Sequence, residues 1–355
     1  MNPNLRGIFE MKAVRIYGPR DLRIEELPVP APGPGEVLVK IAYIGICGTD
    51  IEIYLGELGY IKQGIAKLPM TPGHEWTGVV CEVGAGVDYF TAGDEVCGEN
   101  GLGCMHCERC FSGEYHLCLE KVGVGIFNKD GSYAEYLVIP ARWVHKLTPN
   151  ISLEDGALVE PACVGCYAVE TGRVNFGDTA LVIGDGPIGQ YCVQFAKAKG
   201  AAKVILIGSH KSKMDLALAA GADYVISRHT GTAEAEIAEL TQGKGVDVIF
   251  ESSGNGKALS QAVMMLRKGG RMALVSHYQY LPEDFNFNRV VSFNLNLCGV
   301  VSSPGVWDKV IRMIDSGQIK TKPLIAGVFP MEEAETRLNQ IMKRELVGVK
   351  FLLRP

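Results

Sequence analysis

Residues 179–189 read Thr179-Ala-Leu-Val-Ile-Gly184-Asp-Gly186-Pro187-Ile188-Gly189. An apolar run ends in glycines spaced G-x-G-x-x-G, and a helix-compatible segment follows. Gly184 permits a tight turn, Gly186 lets the backbone approach a pyrophosphate, and Gly189 lets a helix pack closely on the strand. Pro187 and Ile188 open that helix, whose N-terminus offers amide donors and a partial positive charge to an anion.

The same pattern continues outward. Apolar segments Thr179–Ile183, Val204–Ile207, Tyr224–Ile226, Val246–Phe250 and Arg271–Val275 alternate with helical stretches Gly189–Lys199, Lys211–Ala220, Ala233–Thr241 and Lys257–Arg267. Such alternation predicts a doubly wound parallel sheet of α/β class over residues 165–303. The glycine turn lies at its first strand–helix junction, which is the context a dinucleotide site requires.

The end of the second strand bears on which dinucleotide binds. An acid roughly 20 residues beyond the glycines ordinarily holds the ribose 2′-hydroxyl of NAD. Here the chain reads Gly208-Ser209-His210-Lys211-Ser212-Lys213, and that acid is missing. Gly208 leaves room, Ser209 can donate a hydrogen bond, and His210, Lys213 and Arg228 offer positive charge. NADP(H) is therefore expected over NAD(H).

Residues 11–160 differ in texture, with short alternating stretches such as Glu36–Tyr43 broken by Gly and Pro, a β-rich pattern. Within them, Cys104-x-x-Cys107-x-x-Cys110-x7-Cys118 gathers four thiols in fifteen residues. Four thiolates close a tetrahedral shell around zinc and leave no open position, so the ion would staple the loop. An iron–sulfur cluster is the alternative, but the spacing departs from the ferredoxin runs.

Three further motifs, Cys47-Gly-Thr49-Asp50, Gly73-His74-Glu75-Trp76 and Glu160-Pro161, are unremarkable singly. Together with the downstream glycines they resemble the zinc-dependent medium-chain alcohol dehydrogenases, in the sorbitol, threonine and cyclitol dehydrogenase-like branch, over residues 11–355. The resemblance implies a GroES-like, mostly-β catalytic domain over 1–164 and 304–355, with a structural zinc lobe at 98–120, and a Rossmann coenzyme domain over 165–303. It implies a catalytic zinc on Cys47 and His74, with Glu75 and Glu160 as carboxylates that bind the metal directly or through water. Asp50 would orient His74, and the shell would keep one position open.

Zinc would lower the pKa of a substrate hydroxyl, and hydride would pass between the carbinol carbon and the nicotinamide. Thr49 matches the family's proton-relay hydroxyl. Glu52 stands where many relatives carry a relay His, and Lys350 where relatives place a basic residue on the pyrophosphate. The sorbitol enzymes' Arg-Tyr pair is replaced by Gly299-Val-Val-Ser302-Ser303-Pro304, so the expected substrate is a polyol, sugar or cyclitol other than sorbitol itself. Tyr54, Phe127 and Glu160 are candidate pocket residues. An NAD-dependent threonine or simple-alcohol dehydrogenase is the alternative activity, and a catalytically silent zinc- and nucleotide-binding protein the alternative class. A zinc-free quinone or enoyl reductase would lack both cysteine motifs. By analogy with relatives, the edge strand near Ser292–Val301 would build a homo-oligomer, a tetramer before a dimer.

Composition agrees with a packed, folded enzyme. In 355 residues 47% are apolar and the net charge is −5, which argues against nucleic acid as the main partner. No long apolar run suggests a membrane span, and residues 1–10 lack the features of a signal peptide, so a cytoplasmic protein is expected, with Met11 as a plausible natural start. The odd count of eleven cysteines makes a poor disulfide framework. Cys192 is expected buried on the helix after the glycines, and Cys81, Cys97, Cys163, Cys166 and Cys298 as small buried residues.

Overall fold

The computed structural model describes residues 10–278 and 282–355. The question of a natural start at Met11 concerns residues that lie almost wholly outside this range. Two compact units form: one holds the described residues up to Glu160 with Trp307–Ser316 and Ile325–Pro355, the other Pro161–Val306 with Gly317–Leu324.

The second unit is a six-stranded sheet in the order Tyr224–Ser227, Lys203–Gly208, Thr179–Ile183, Val246–Glu251, Leu266–Leu274, Asn296–Gly299. All five pairings are parallel. Ala180, Leu181 and Val182 are fully buried, as are Val204, Ile205 and Leu206. Strands covered on both faces carry continuous apolar runs rather than alternation, and that makes them legible in the sequence. Strand order reverses between Thr179–Ile183 and Val246–Glu251, and the carboxyl ends of the strands at such a switch point are where open parallel sheets bind ligands. Helix Pro187–Ala198 buries Gly189 through Ala196 along its length. Helix Gly256–Met265 stops two residues short of the expected Arg267, because Leu266 turns extended and pairs with Val246.

The first unit centres on Glu36–Gly45. This strand pairs antiparallel with Glu75–Val83, Tyr136–Pro140 and the C-terminal strand Lys350–Arg354 within a seven-stranded sheet. The apolar tail thus completes a sheet begun more than 300 residues earlier, and Phe351 and Leu353 enter the core that holds Val37, Val39 and Ile41. Its arrival beside Gly45 and Ile46 carries Lys350 to the turn that bears Cys47. The first unit is thus mostly β-structure and the second a Rossmann-type parallel sheet, in a mixed α/β fold.

All eleven cysteines are free thiols. Cys97, Cys163, Cys166 and Cys192 are buried, but Cys81 is exposed and Cys298 half-buried, against expectation. Cys81 lies on strand Glu75–Val83 next to the buried Val80, so strand alternation turns it outward. Among the described residues no helix is long and apolar enough to cross a membrane.

Candidate active site

In the second unit the three motif glycines have separable physical reasons. Gly184 has φ +114°, a region closed to most side chains. A Cβ at Gly189 would stand 1.9 Å from the Gly184 carbonyl oxygen. Gly186, at φ −76°, caps the helix that Pro187 opens, and a Cβ there would meet nothing within 4 Å. Neither backbone nor packing demands glycine at 186, so the open space beside a helix N-terminus fits a bound pyrophosphate.

At the end of Lys203–Gly208 the structure adds a residue that the sequence did not single out. The Asp185 carboxylate, from inside the glycine turn, accepts hydrogen bonds from the amides of Ser209 (2.7 Å) and His210 (2.8 Å) and lies 3.3 Å from His210 Nδ1. The strand end that lacks an acid of its own therefore has one beside it. The only hint in the sequence is a charged residue between two glycines.

Burial alone would raise the Asp185 pKa, but the two amides and the positive charge of Lys213 hold it below the ordinary carboxylate value. Burial lowers the Lys213 pKa, against the pull of Asp185. Lys211 instead pairs with Asp215 at 2.7 Å, one turn along its helix. Arg228 is exposed, and its amide bonds the Gly208 carbonyl at 2.9 Å.

In the first unit Cys47 precedes helix Gly48–Leu55, and its amide donates to Asp50 Oδ2 at 2.8 Å. His74 and Glu75 stand at the start of Glu75–Val83. Ligand atoms of Cys47, His74 and Glu75 all lie within 4.8 Å of one another. Asp50 is fully buried, accepts from Tyr133 Oη at 3.1 Å, and faces His74 Nδ1 across 3.7 Å. That places the carboxylate where it can fix the imidazole orientation and leave Nε2 for a cation. Burial, reinforced by the Glu75 charge, pushes the Cys47 thiol well above its usual range. A half-buried thiol facing carboxylates is poor at ionising alone and well suited to a divalent cation, which fits zinc. The Thr49 hydroxyl is 3.8 Å from the Cys47 sulfur, and Glu52 is half-buried on the same helix.

Glu75 occupies space that Gly45 leaves free, since a Cβ at 45 would stand 2.1 Å from Glu75 Oε2. Lys350 Nζ donates to both Glu75 oxygens, at 2.6 and 2.8 Å, and to the Ile46 carbonyl at 3.0 Å. The three donors of this buried ammonium are thus engaged inside the first unit. Glu160 lies outside the three-ligand set, and its Oε1 accepts from Asn100 Nδ2 at 2.6 Å. Burial pushes its carboxyl up to about 7. Tyr54 is 2% exposed and donates to Glu335 at 2.8 Å, so its hydroxyl is held in the core and does not line a pocket. Phe127 is also buried, 4.6 Å from the Tyr60 ring.

Cys104, Cys107, Cys110 and Cys118 gather with sulfurs within 4.8 Å of one another. Cys104–Cys110 and Cys107–Cys118 are 3.9 and 3.8 Å apart. Zn–S bonds of about 2.3 Å put the corners of a tetrahedron about 3.8 Å apart, so the lobe has the dimensions of a closed zinc site. The Cys110 amide draws the Cys107 thiol down to about 7, whereas burial pushes Cys110 up to about 12. His106 stays at the surface, 3.1 Å from Glu120.

The alcohol dehydrogenase GroES-like domain family matches residues 33–149, and the zinc-binding dehydrogenase family residues 187–316. Sorbitol dehydrogenase of Bacillus subtilis is 31% identical over 345 residues, 97% of each chain. L-threonine 3-dehydrogenase of Pyrococcus abyssi is 35% identical over 348 residues, 97% of this chain and 98% of the relative. Among solved structures, a zinc-binding dehydrogenase of Sinorhizobium meliloti bound to NADP has TM-score 0.89 at 27% identity, covering 98% of this chain and all of the other. An Escherichia coli dehydrogenase complexed with NADH has the same TM-score and identity, covering 98% and 99%.

Proposed function

The chain belongs to the zinc-dependent medium-chain alcohol dehydrogenases, in the sorbitol- and threonine-dehydrogenase-like branch, and on that premise we propose that it moves a hydride between a secondary alcohol of polyol, sugar or cyclitol type and NADP(H). The observation that carries the chemistry is the meeting of Cys47, His74 and Glu75 within 4.8 Å, beside the Thr49 hydroxyl. Cys47 and His74, with Glu75 or Glu160, would hold a zinc ion, which would supply the Lewis acidity that brings an alcohol proton within reach of neutral pH.

The protein's own groups do the rest. Asp50 keeps the His74 ring aligned. Thr49 takes the hydroxyl proton, and Glu52, on the same helix, passes it outward. Lys350 holds the Glu75 carboxylate in place through two hydrogen bonds. The closed cysteine lobe serves structure alone. Preference for the 2′-phosphorylated cofactor is supported by Lys213, an ammonium in partly buried surroundings, and by His210, Ser209 and Arg228 around Gly208. A homo-oligomer, tetramer before dimer, is supported by the edge strand Asn296–Gly299 and by Phe287 and Val291, exposed at 72% and 80% on the helix before it.

The deciding experiment screens polyols, cyclitols, amino acids and simple alcohols with both cofactors by nicotinamide absorbance. Turnover of a polyol or cyclitol with NADP⁺ is expected. Selective turnover of threonine or of a simple alcohol with NAD⁺ would replace this substrate and cofactor assignment.

A further inference from the structure

We propose that Asp185 is the residue with which this protein reads the 2′ position of the adenosine ribose, in place of the acid that ordinarily ends the second strand. The proposal rests on the reading that a nicotinamide dinucleotide docks on the glycine turn.

Three observations carry it. First, placement: Oδ2 bonds the Ser209 and His210 amides at 2.7 and 2.8 Å, so a side chain from the turn after the first strand is fixed at the tip of the second. Second, space: a Cβ at Gly208 would stand 2.8 Å from Met214 Cγ and 3.1 Å from both Asp185 Cβ and Oδ2. Asp185 fills the volume in which an acidic side chain at 208 would begin, which gives the missing acid a physical reason. Third, valence: all the contacts found for this carboxylate fall on Oδ2. Oδ1 keeps its lone pairs for a ribose hydroxyl, which can donate to it. A 2′-phosphate has little proton to give at neutral pH and is repelled by the same oxygen.

A cation stands against this acid. Lys213 faces Asp185 and its charge helps hold it ionised, while the His210 ring lies 3.3 Å from Oδ2. The 2′-oxygen or 2′-phosphate of the ribose is thus weighed between one fixed carboxylate and the Lys213 ammonium. Asp185 accordingly tempers whatever preference for the phosphorylated cofactor Lys213 creates.

The test is calorimetric binding of NADH and NADPH to the full-length, zinc-loaded protein and to Asp185→Asn. Asn keeps an oxygen acceptor for the two amides and removes the charge. The ratio of Kd for NADH to Kd for NADPH is expected to rise by about tenfold, through weaker NADH and tighter NADPH binding. Asp185→Ser, which retains a shorter acceptor, should move the ratio the same way and guards against a folding defect in the first variant.

An unchanged ratio in variants that still bind both cofactors overturns the proposal and leaves the dinucleotide assignment standing. A wild type that favours NADH, with the ratio still shifting tenfold in the variant, overturns the NADP(H) preference and supports the proposal. Absence of binding by either cofactor to the wild type overturns both.

Discussion

Lys350 and Glu75, 275 residues apart in the chain, form a doubly hydrogen-bonded ion pair of which each side chain is 2% exposed. Burial by itself would lower the Lys350 pKa, but the charge of Glu75 and its hydrogen bonds raise it above the ordinary lysine value. Glu75 is also one of three ligands within reach of a cation. Its charge is therefore shared between Lys350 and any metal on Cys47 and His74.

Removing the ammonium alone should be costly. Lys350→Met leaves a buried carboxylate without its partner, and urea unfolding should show a loss of about 3–5 kcal/mol. Glu75→Gln combined with Lys350→Met should recover most of that loss, since no uncompensated charge remains. Equal stability of the single and double variants would show that the pair does not act as a unit.

Metal analysis of protein purified without chelator should find two zinc ions per chain, one for each ligand group. Cys107→Ser should lose the ion of the cysteine lobe and lower Tm while the other site stays loaded. Cys47→Ser should lose the second ion and abolish turnover, with Tm changing less. A single zinc that disappears with Cys47→Ser would undo the two-site assignment. Iron with visible absorbance in the lobe would favour the cluster alternative.

Local features could be read from the chain, and features made by distant segments could not. Strands Thr179–Ile183 and Val246–Glu251 announced themselves as apolar runs because both their faces are covered. The lobe was visible because its four thiols sit within fifteen residues, enough to close a tetrahedral metal shell. The pairing of Lys350 with Glu75 was not legible because it arises through strand pairing, which no local pattern encodes. Tyr54 was offered as a pocket residue, but Glu335, 281 positions away, holds its hydroxyl. Asn100 escaped notice because its one telling contact, to Glu160, spans sixty residues. Asp185 lay inside the decisive motif, yet its reach to Ser209 and His210 appears only once the two strands lie side by side.

Lys213 separates the two cofactors kinetically. Lys213→Ala should raise KM for NADPH by about tenfold or more while NADH changes little, because only the phosphorylated ribose has an anion for the ammonium to meet. Parallel changes in both KM values would mean that Lys213 supports the loop and does not select the cofactor.

His145 makes stability depend on pH. It lies 3.2 Å from Glu99 and 3.0 Å from Asp308, and its ring stacks on Trp307 with centroids 5.2 Å apart. Burial would lower its pKa, but the hydrogen bonds and charges of the two carboxylates outweigh burial and raise it above 6.5. A raised folded-state pKa means that the folded protein binds the proton more tightly than the unfolded chain. The resulting stabilisation is complete below the unfolded value of about 6.5 and is lost as pH rises through the folded value. Wild type should therefore exceed His145→Gln in stability by a margin that shrinks as pH is raised from about 6 to about 9 in urea unfolding. Glu99→Gln should flatten that dependence, since it removes the carboxylate bonded to both His145 and Tyr115. A margin that stays constant across this range would show that His145 acts through packing on Trp307 and not through its charge.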